Sequence, residues 1–254
     1  MRVRSVALAV MFALAAVLPV MAQDAGKVAE IHINRVKPGM TAQYETGRKK
    51  HMAWHKSQKD TWSWYTWEVL TGEGTGSYVV GTFQHHWKHF DGREKFNQAD
   101  SADAQANMGA SLASEQMSYY LHRADLSGGP EAFPPATKLI SVTHFMVRPD
   151  GVNDFLDGVK KVGEAIGKTN YPQAGPSHWY QLVNGGDVPH FVLVGERATW
   201  ASFQSPEKPF DAMMEEAYGK EQGAAILASL RKAIRSVYTE ALQYRPDLSY
   251  VAGK

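Results

Sequence analysis

The hydrophobic and polar positions of this chain follow one pattern twice. The pattern over residues 28–127 recurs over residues 139–249. In each copy an apolar stretch ends in a turn that contains proline and glycine, at residues 37–39 and 148–151. Each copy also closes on an Arg-x-Asp-Leu-Ser tail. Self-similarity over about 100 residues predicts two copies of one supersecondary unit.

Within each copy, alternation, helical spacing and turn residues predict the order βαββαβ. The predicted elements of the first copy are a strand at 28–36, a helix at 40–57, hairpin strands at 62–70 and 78–84, a helix at 91–114 and a strand at 117–122. The second copy repeats this order, with a longer last helix over residues 212–234. This is the order of the ferredoxin-like unit.

A single unit of this kind covers only one face of its sheet with helices. Two copies in one chain supply the missing layer to each other. We therefore predict an α+β fold in which two tandem ferredoxin-like repeats form a fused pseudo-dimeric α/β barrel. The two four-stranded antiparallel sheets are expected to pack face to face, with four main helices outside.

The ends of the repeats define a domain organisation. Residues 1–22 have a positive start followed by an apolar stretch, which predicts a secretory signal peptide and a mature chain that begins at Gln23. The apolar stretch falls short of the roughly 20 residues that span a membrane. We predict a secreted or periplasmic protein with repeat 1 at 23–127, a Gly- and Pro-rich linker at 128–137 and repeat 2 at 138–254.

Charge and cysteine content exclude several classes of function. The formal net charge is +1, and loss of Arg2 and Arg4 with the signal peptide makes it −1. No basic stripe is present, so we predict neither a nucleic-acid partner nor, after cleavage, a membrane partner. The chain has no cysteine. Disulfides, thiolate catalysis and cysteine-ligated metals are therefore excluded.

The two copies disagree on the first helix. His51 and His55 are four residues apart and share a face with Tyr44. The aligned positions of the second copy are Val162 and Ile166 in place of the two histidines. The second copy thus indicates that this helix face is buried, while the first copy places two imidazoles on it.

The first strand shows the same contrast. Glu30, His32 and Asn34 alternate and point to one side of the sheet. Their counterparts in the second copy are less polar: Ser141, Thr143 and Phe145. Burial of an unpaired polar group costs about 1–3 kcal/mol. The first copy is therefore expected to satisfy these groups by mutual hydrogen bonds, water, a ligand or a metal.

These features resemble a known superfamily. The Pro-Gly turn after the first strand, the aromatic central hairpin and the Trp-x-x-Phe after the third strand (Trp87 and Phe90, Trp200 and Phe203) resemble the dimeric α/β-barrel superfamily. The resemblance is to antibiotic-biosynthesis-monooxygenase-like and NIPSNAP-like domains in tandem. That superfamily includes cofactor-independent quinol-type oxygenases, haem-degrading oxygenases, haem-binding chlorite-dismutase relatives and members with no known activity.

The resemblance implies a small-molecule site in repeat 1 with monooxygenase-like oxidation of an aromatic or quinol-like compound. We assign His51 or His55 as general base, because an imidazole titrates near neutral pH, and Asn34 as the residue that orients the substrate. The expected ligand-binding residues are Glu30, His32, Tyr44, Trp64 and Trp67. No cofactor and no metal site are assigned, with haem or a divalent metal as the alternatives.

Other interpretations of the same residues stay open. His51 and His55 are alternatively satisfied residues at the edge of a core. Asn34 occupies the place of a strand-one asparagine in haem-degrading relatives, but residues 99–114 of the second helix contain no histidine, unlike those relatives. The protein as a whole is alternatively a non-catalytic ligand-binding or stress-related protein, or a structural barrel without a ligand. It is expected to be a monomer with an internal pseudo-dimer, or a homo-oligomer.

Overall fold

The computed structural model describes residues 27–129, 131–135 and 137–254. The predicted signal peptide at residues 1–22 lies outside this range. Within the described residues, no helix has both the length and the apolar character needed to cross a membrane.

Eight strands and six α-helices, with four short 3-10 helices, make up the described chain, and the strands and main helices follow the predicted order. Repeat 1 contains β1 (Val28–Val36), α1 (Thr41–Ser57), β2 (Tyr65–Val69), β3 (Tyr78–His85), α2 (Trp87–Asp91), α3 (Glu94–Met108) and β4 (Leu112–His122). Repeat 2 contains β5 (Leu139–Val147), α4 (Val152–Thr169), β6 (Ser177–Asn184), β7 (His190–Arg197), α5 (Phe210–Tyr218), α6 (Lys220–Ala233) and β8 (Ile234–Tyr244).

The strands form one closed antiparallel barrel in the order β1-β3-β2-β8-β5-β7-β6-β4. The two halves meet edge to edge, where β2 pairs with β8 and β4 pairs with β6. The expectation of two separate sheets packed face to face is therefore wrong in this respect. Closure gives every strand two neighbours, and so it removes the exposed edges that two open sheets would leave.

Two predicted helices end differently from the expectation. The helix predicted at 91–114 corresponds to α3, which is shorter, and the short helix α2 precedes it. Strand β4 begins already at Leu112, because this residue pairs with Val36 at the end of β1. The long helix predicted at 212–234 is divided into α5 and α6. Gly219 lies between them with a φ of +80°, in the left-handed region that favours glycine and interrupts a helix.

The barrel interior is an aromatic and aliphatic core. Tyr65 and Trp67 of β2 pack there with Ile140, Val142 and Leu242 of the other half. Phe133 of the linker reaches the same core, where its ring stacks on Phe83 at 4.1 Å between centroids. Because this core fills the inner face of the barrel, the polar positions of repeat 1 are left on the outer face, under the helices.

Helix α1 is unusual in burying a polar face against the barrel. Its buried residues include Arg48, His51 and His55. At Gly47 a Cβ atom would lie 2.2 Å from the carbonyl oxygen of Asn107. Only glycine permits this approach of α1 to α3. The close crossing brings the histidines of α1 to the acidic residues of α3.

Buried neutral histidines predict acid sensitivity of the fold. Burial is the main cause that lowers the pKa of His85, His122 and His190 to about 4, against an ordinary value of 6.5. Between pH 6.5 and pH 4 the unfolded chain binds protons that the folded chain does not, so stability falls as the pH falls through this window. Each group contributes up to about 3 kcal/mol.

The measurement is urea unfolding at pH 7 and pH 5. We expect His122→Gln to lose less stability than the wild type between the two pH values, and His89→Gln, at an exposed position, to lose as much as the wild type. Equal losses in all three proteins would show that His122 does not contribute to the acid sensitivity.

Candidate functional site

A cavity of about 360 Å³ lies between the outer face of the barrel and helices α1 and α3. Strands β1 and β4 and the segment before β2 complete its wall. Polar and aromatic side chains share the lining, which includes Glu30, His32, Asn34, Arg48, His51, His55, Trp62, Trp64, Asp100, Glu115 and Tyr119. The contrast between the two copies, seen in the sequence, therefore coincides with a real cavity.

Carboxylates hold both helix histidines at their Nδ1 atoms. His51 Nδ1 lies 2.8 Å from Asp103 Oδ1 of α3. His55 Nδ1 lies 2.9 Å from Asp60 Oδ2, in the loop after α1. An Nδ1–H group that donates to a carboxylate leaves the lone pair of Nε2 free. In both residues this lone pair is directed to the floor of the cavity.

The two Nε2 atoms meet a third polar atom there. His51 Nε2 and His55 Nε2 are 3.3 Å apart, and each lies 3.2 Å from Oδ1 of Asp100. This oxygen is buried and accepts no well-oriented hydrogen bond from the described residues. Burial lowers the pKa of His55, but Asp100 and Asp60 outweigh it and raise the pKa above its ordinary value.

Asp60 is the structural centre of the site. Its carboxylate accepts hydrogen bonds from His55, from the backbone N–H of Trp62 and from Nε1 of Trp64. Arg93 adds a bidentate pair at 2.9 and 3.2 Å. Burial alone would raise the pKa of Asp60, but these donors hold it well below its ordinary value.

A second charged group lies on the wall formed by β1. His32 contacts Glu30 at 2.7 Å through Nε2 and Glu115 of β4 at 2.8 Å through Nδ1. Burial lowers the pKa of His32, but the two carboxylates outweigh it and raise the pKa to about 9. His32 is therefore an imidazolium at neutral pH and cannot act as a base there.

Asn34 has the orientation needed to bind a hydroxyl group. Its Nδ2 donates to the Tyr44 hydroxyl at 3.0 Å, which fixes the amide. Its Oδ1 is buried and has no hydrogen-bond donor among the described residues. Arg48 lies below it and donates to the Leu248 carbonyl and the Thr66 hydroxyl.

The structure brings most of the predicted site residues together. Those that line the cavity are Glu30, His32, Asn34, His51, His55 and Trp64, and Tyr44 supports Asn34 from behind. Trp67 is the exception, because it lies in the barrel interior. Trp64 and Trp67 are three residues apart along an extended segment, so their side chains point to opposite faces of the sheet.

Sequence reasoning missed the acidic half of the site: Asp60, Asp100, Asp103 and Glu115. A search for histidine on the second helix finds none. Asp100 and Asp103 are nevertheless three residues apart on that helix and share a face, which was the available signal. Nothing in the sequence marks Asp60 or Glu115 as partners of histidines on another element.

Repeat 2 contains a cavity of about 1180 Å³ at the corresponding place. Its lining includes the aligned residues Ser141, Thr143, Phe145, Val162 and Ile166, and no histidine among the described residues. The aligned positions are thus exposed to a cavity in both halves, and only repeat 1 equips its cavity with imidazoles.

Haem, which the resemblance raised as an alternative, does not fit these residues. An axial imidazole needs its Nε2 free to face a flat macrocycle. In repeat 1 the two Nε2 atoms and Asp100 Oδ1 lie 3.2–3.3 Å from one another, so a porphyrin centred on either Nε2 would collide with the other two groups. The larger cavity of repeat 2 offers no imidazole.

Comparison with known proteins shows similarity in structure only. No family model matches the chain, and no curated protein matches it. An anthrone oxidase-like protein matches with a TM-score of 0.58 and 13% identity, over 90% of this chain and 94% of that protein. A candidate monooxygenase from Lactobacillus acidophilus matches with a TM-score of 0.53 and 10% identity, over 89% and 96%.

A mutant chlorite dismutase from Candidatus Nitrospira defluvii also matches, with a TM-score of 0.53 and 9% identity, over 89% of this chain and 94% of that protein. Identities this low show the fold and nothing finer. The chain therefore has an α+β fold of the dimeric α/β-barrel class, built on an eight-stranded antiparallel sheet. Its function has to be argued from its own site.

Proposed function

We propose that the cavity of repeat 1 binds a small aromatic or quinol-like molecule and oxidises it with dioxygen, in a monooxygenase-like reaction. The observation that carries the proposal is the convergence of Asn34, His51 and His55 on one cavity walled by Trp62 and Trp64. Flat aromatic walls with a few polar groups at fixed positions are typical of such ligand sites.

Each polar group has a role in this proposal. The unpaired Oδ1 of Asn34 accepts a hydrogen bond from a substrate hydroxyl. The lone pair of a histidine Nε2 on the cavity floor accepts the acidic proton of the substrate. Oxidation of a ring methylene to a carbonyl then balances with one dioxygen: one oxygen atom enters the product, the other leaves as water, and no reductant is needed.

Anthrone is a suitable probe, because it contains such a methylene and an anthrone oxidase-like protein shares the fold. We expect the chain to convert anthrone to anthraquinone with one dioxygen consumed per molecule. Asn34→Ala removes one hydrogen bond to the substrate and should lower kcat/KM by about 10- to 100-fold. An oxygen electrode and product absorbance give both rates.

The matched control is Thr143→Val, at the position in repeat 2 that corresponds to His32. Its rate should equal that of the wild type. Equal values of kcat/KM for the wild type and Asn34→Ala would show that the cavity of repeat 1 does not take part in the reaction. If calorimetry shows that the protein binds anthraquinone, but no dioxygen is consumed when anthrone is added, the non-catalytic ligand-binding alternative is favoured.

We further propose that the barrel is a fused pair of ferredoxin-like repeats related to antibiotic-biosynthesis-monooxygenase-like and NIPSNAP-like domains. The strand order 4-1-3-2 occurs in both halves, as β4-β1-β3-β2 and β8-β5-β7-β6, and supports this relationship. The same order places the two cavities at equivalent positions. Because the cavity of repeat 2 is lined by Thr143, Phe145, Val162 and Ile166 at the aligned positions, a ligand of repeat 1 would not find the same binding groups there.

We also propose that the protein is secreted or periplasmic. The support is the composition of residues 1–22, with arginines at positions 2 and 4 before an apolar stretch. Expression in a bacterium should yield an exported protein whose intact mass corresponds to a start at or near Gln23. A soluble cytoplasmic product that retains Met1 would contradict export.

A further inference from the structure

We propose that His51, His55 and Asp100 bind a divalent first-row transition-metal ion, with open coordination positions directed into the cavity. Two imidazole nitrogens and one carboxylate oxygen form the ligand set. The three side chains lie on α1 and α3 and all line the cavity of repeat 1. Their ligand atoms are within 4.8 Å of one another.

The spacing of the three atoms matches a metal site closely. The triangle formed by His51 Nε2, His55 Nε2 and Asp100 Oδ1 has sides of 3.3, 3.2 and 3.2 Å. Bonds of about 2.0–2.1 Å to one ion at tetrahedral angles place ligand atoms about 3.3 Å apart. An ion therefore fits above this triangle without movement of the helices.

The three atoms need a cation between them. Each Nδ1–H is committed to a carboxylate, so each Nε2 of a neutral imidazole is an acceptor, as is Asp100 Oδ1. Three acceptors in contact repel one another. A proton shared between the two Nε2 atoms would satisfy one side of the triangle and leave the buried Oδ1 of Asp100 unpaired, whereas a metal ion satisfies all three.

The groups around the ligands have the arrangement that metal-binding histidines usually show. Such histidines donate their other ring N–H to a carboxylate, which fixes the tautomer and the ring orientation. Asp103 does this for His51 at 2.8 Å and Asp60 does it for His55 at 2.9 Å. Arg93 in turn forms two hydrogen bonds to Asp60. The carboxylate that orients His55 is therefore itself held in place.

The ligand set selects the class of ion. Imidazole favours zinc, iron, copper and nickel over magnesium and calcium, which prefer oxygen ligands. A set of two histidines and one carboxylate with open positions is typical of non-haem Fe²⁺ oxygenases and also suits Zn²⁺. Trp64 and Asn34 line the same cavity, where the proposed function places the substrate.

This inference deepens the proposed function, since it concerns the same cavity, but it is tested without any substrate. With an ion bound, His51 and His55 are ligands and not bases. A bound ion would supply the Lewis acidity that lowers the pKa of a substrate hydroxyl. If the protein binds metal but does not oxidise anthrone, the metal site stands and the proposed oxidation fails. If it oxidises anthrone but binds no metal, the metal site fails and the imidazoles remain the proton acceptors.

The experiment uses the mature chain after chelator treatment and dialysis. Calorimetric titration with Zn²⁺ should give one ion per chain, and Co²⁺ should give the intense visible bands of a four- or five-coordinate site. His55→Ala and Asp100→Asn should each abolish both signals. Asp103→Asn, which loses only the orienting partner of His51, should weaken Zn²⁺ binding about 10- to 100-fold.

The control variant is His86→Gln with His89→Gln, which removes two histidines outside the cavity and should bind as the wild type does. Circular dichroism checks that each variant is folded. Asp100→Asn conserves shape, and it decides the question even where His55→Ala fails to fold. The proposal is overturned by absence of stoichiometric binding in the wild type, by full binding in Asp100→Asn, or by loss of binding in the His86/His89 variant.

Discussion

Replacing Asp60 with asparagine is expected to lower the free energy of unfolding by about 3–5 kcal/mol. The Asp60 side chain is almost fully buried and accepts five hydrogen bonds, from His55, Trp64, the Trp62 backbone and twice from Arg93. Asparagine removes the negative charge and turns an N–H₂ group toward these donors. The guanidinium of Arg93 then remains largely buried over Trp62 without its counter-ion.

Urea unfolding at pH 7 measures the effect. The matched control is Asp157→Asn, because Asp157 pairs with Lys161 on the exposed side of α4, and an exposed pair of this kind contributes about 0.3–0.5 kcal/mol. A loss at Asp60 as small as the loss at Asp157 would show that Arg93 and His55 find other partners, and that Asp60 is not the centre of the site.

The sequence predicts the element order and the polar face of repeat 1 because both depend on local periodicity. Alternation along β1 places Glu30, His32 and Asn34 on one side, and the four-residue spacing places His51 and His55 on one helix face. Comparison of the repeats adds that the second copy fills these positions with less polar residues, Ser141, Thr143, Phe145, Val162 and Ile166. These inferences need no knowledge of the tertiary structure.

The rest depends on contacts between distant elements. The closure of the barrel through β2–β8 and β4–β6 follows from edge pairing between repeats, which periodicity does not encode. The start of β4 at Leu112 follows from its pairing with β1, which overrides the helical pattern. Asp100 becomes a site residue only because α1 crosses α3 closely at Gly47, and Asp60 only because the loop after α1 returns to His55 and Trp64.

The last prediction concerns the replacement of both site histidines by the residues of repeat 2, His51→Val with His55→Ile. From the sequence alone, this change is expected to preserve or raise stability, since apolar groups replace buried polar ones. The structure reverses the expectation. The Nδ1–H groups of His51 and His55 donate to Asp103 and Asp60, so loss of the histidines removes a donor from each of these two carboxylates.

We expect the double variant to lose about 3 kcal/mol of unfolding free energy, because removal of one partner from a buried charged pair exposes the full desolvation cost of the other. Adding Asp103→Ala to the double variant should recover part of the loss, whereas Asp103→Ala alone in the wild type should destabilise, because it removes the acceptor of His51 Nδ1. Urea unfolding of the four proteins gives this coupling directly. The size of the coupling decides between the two views. Equal effects of Asp103→Ala in both backgrounds would mean that the histidines and Asp103 do not depend on each other, and the apolar residues of repeat 2 could then replace the histidines of repeat 1 without a change in the acidic residues.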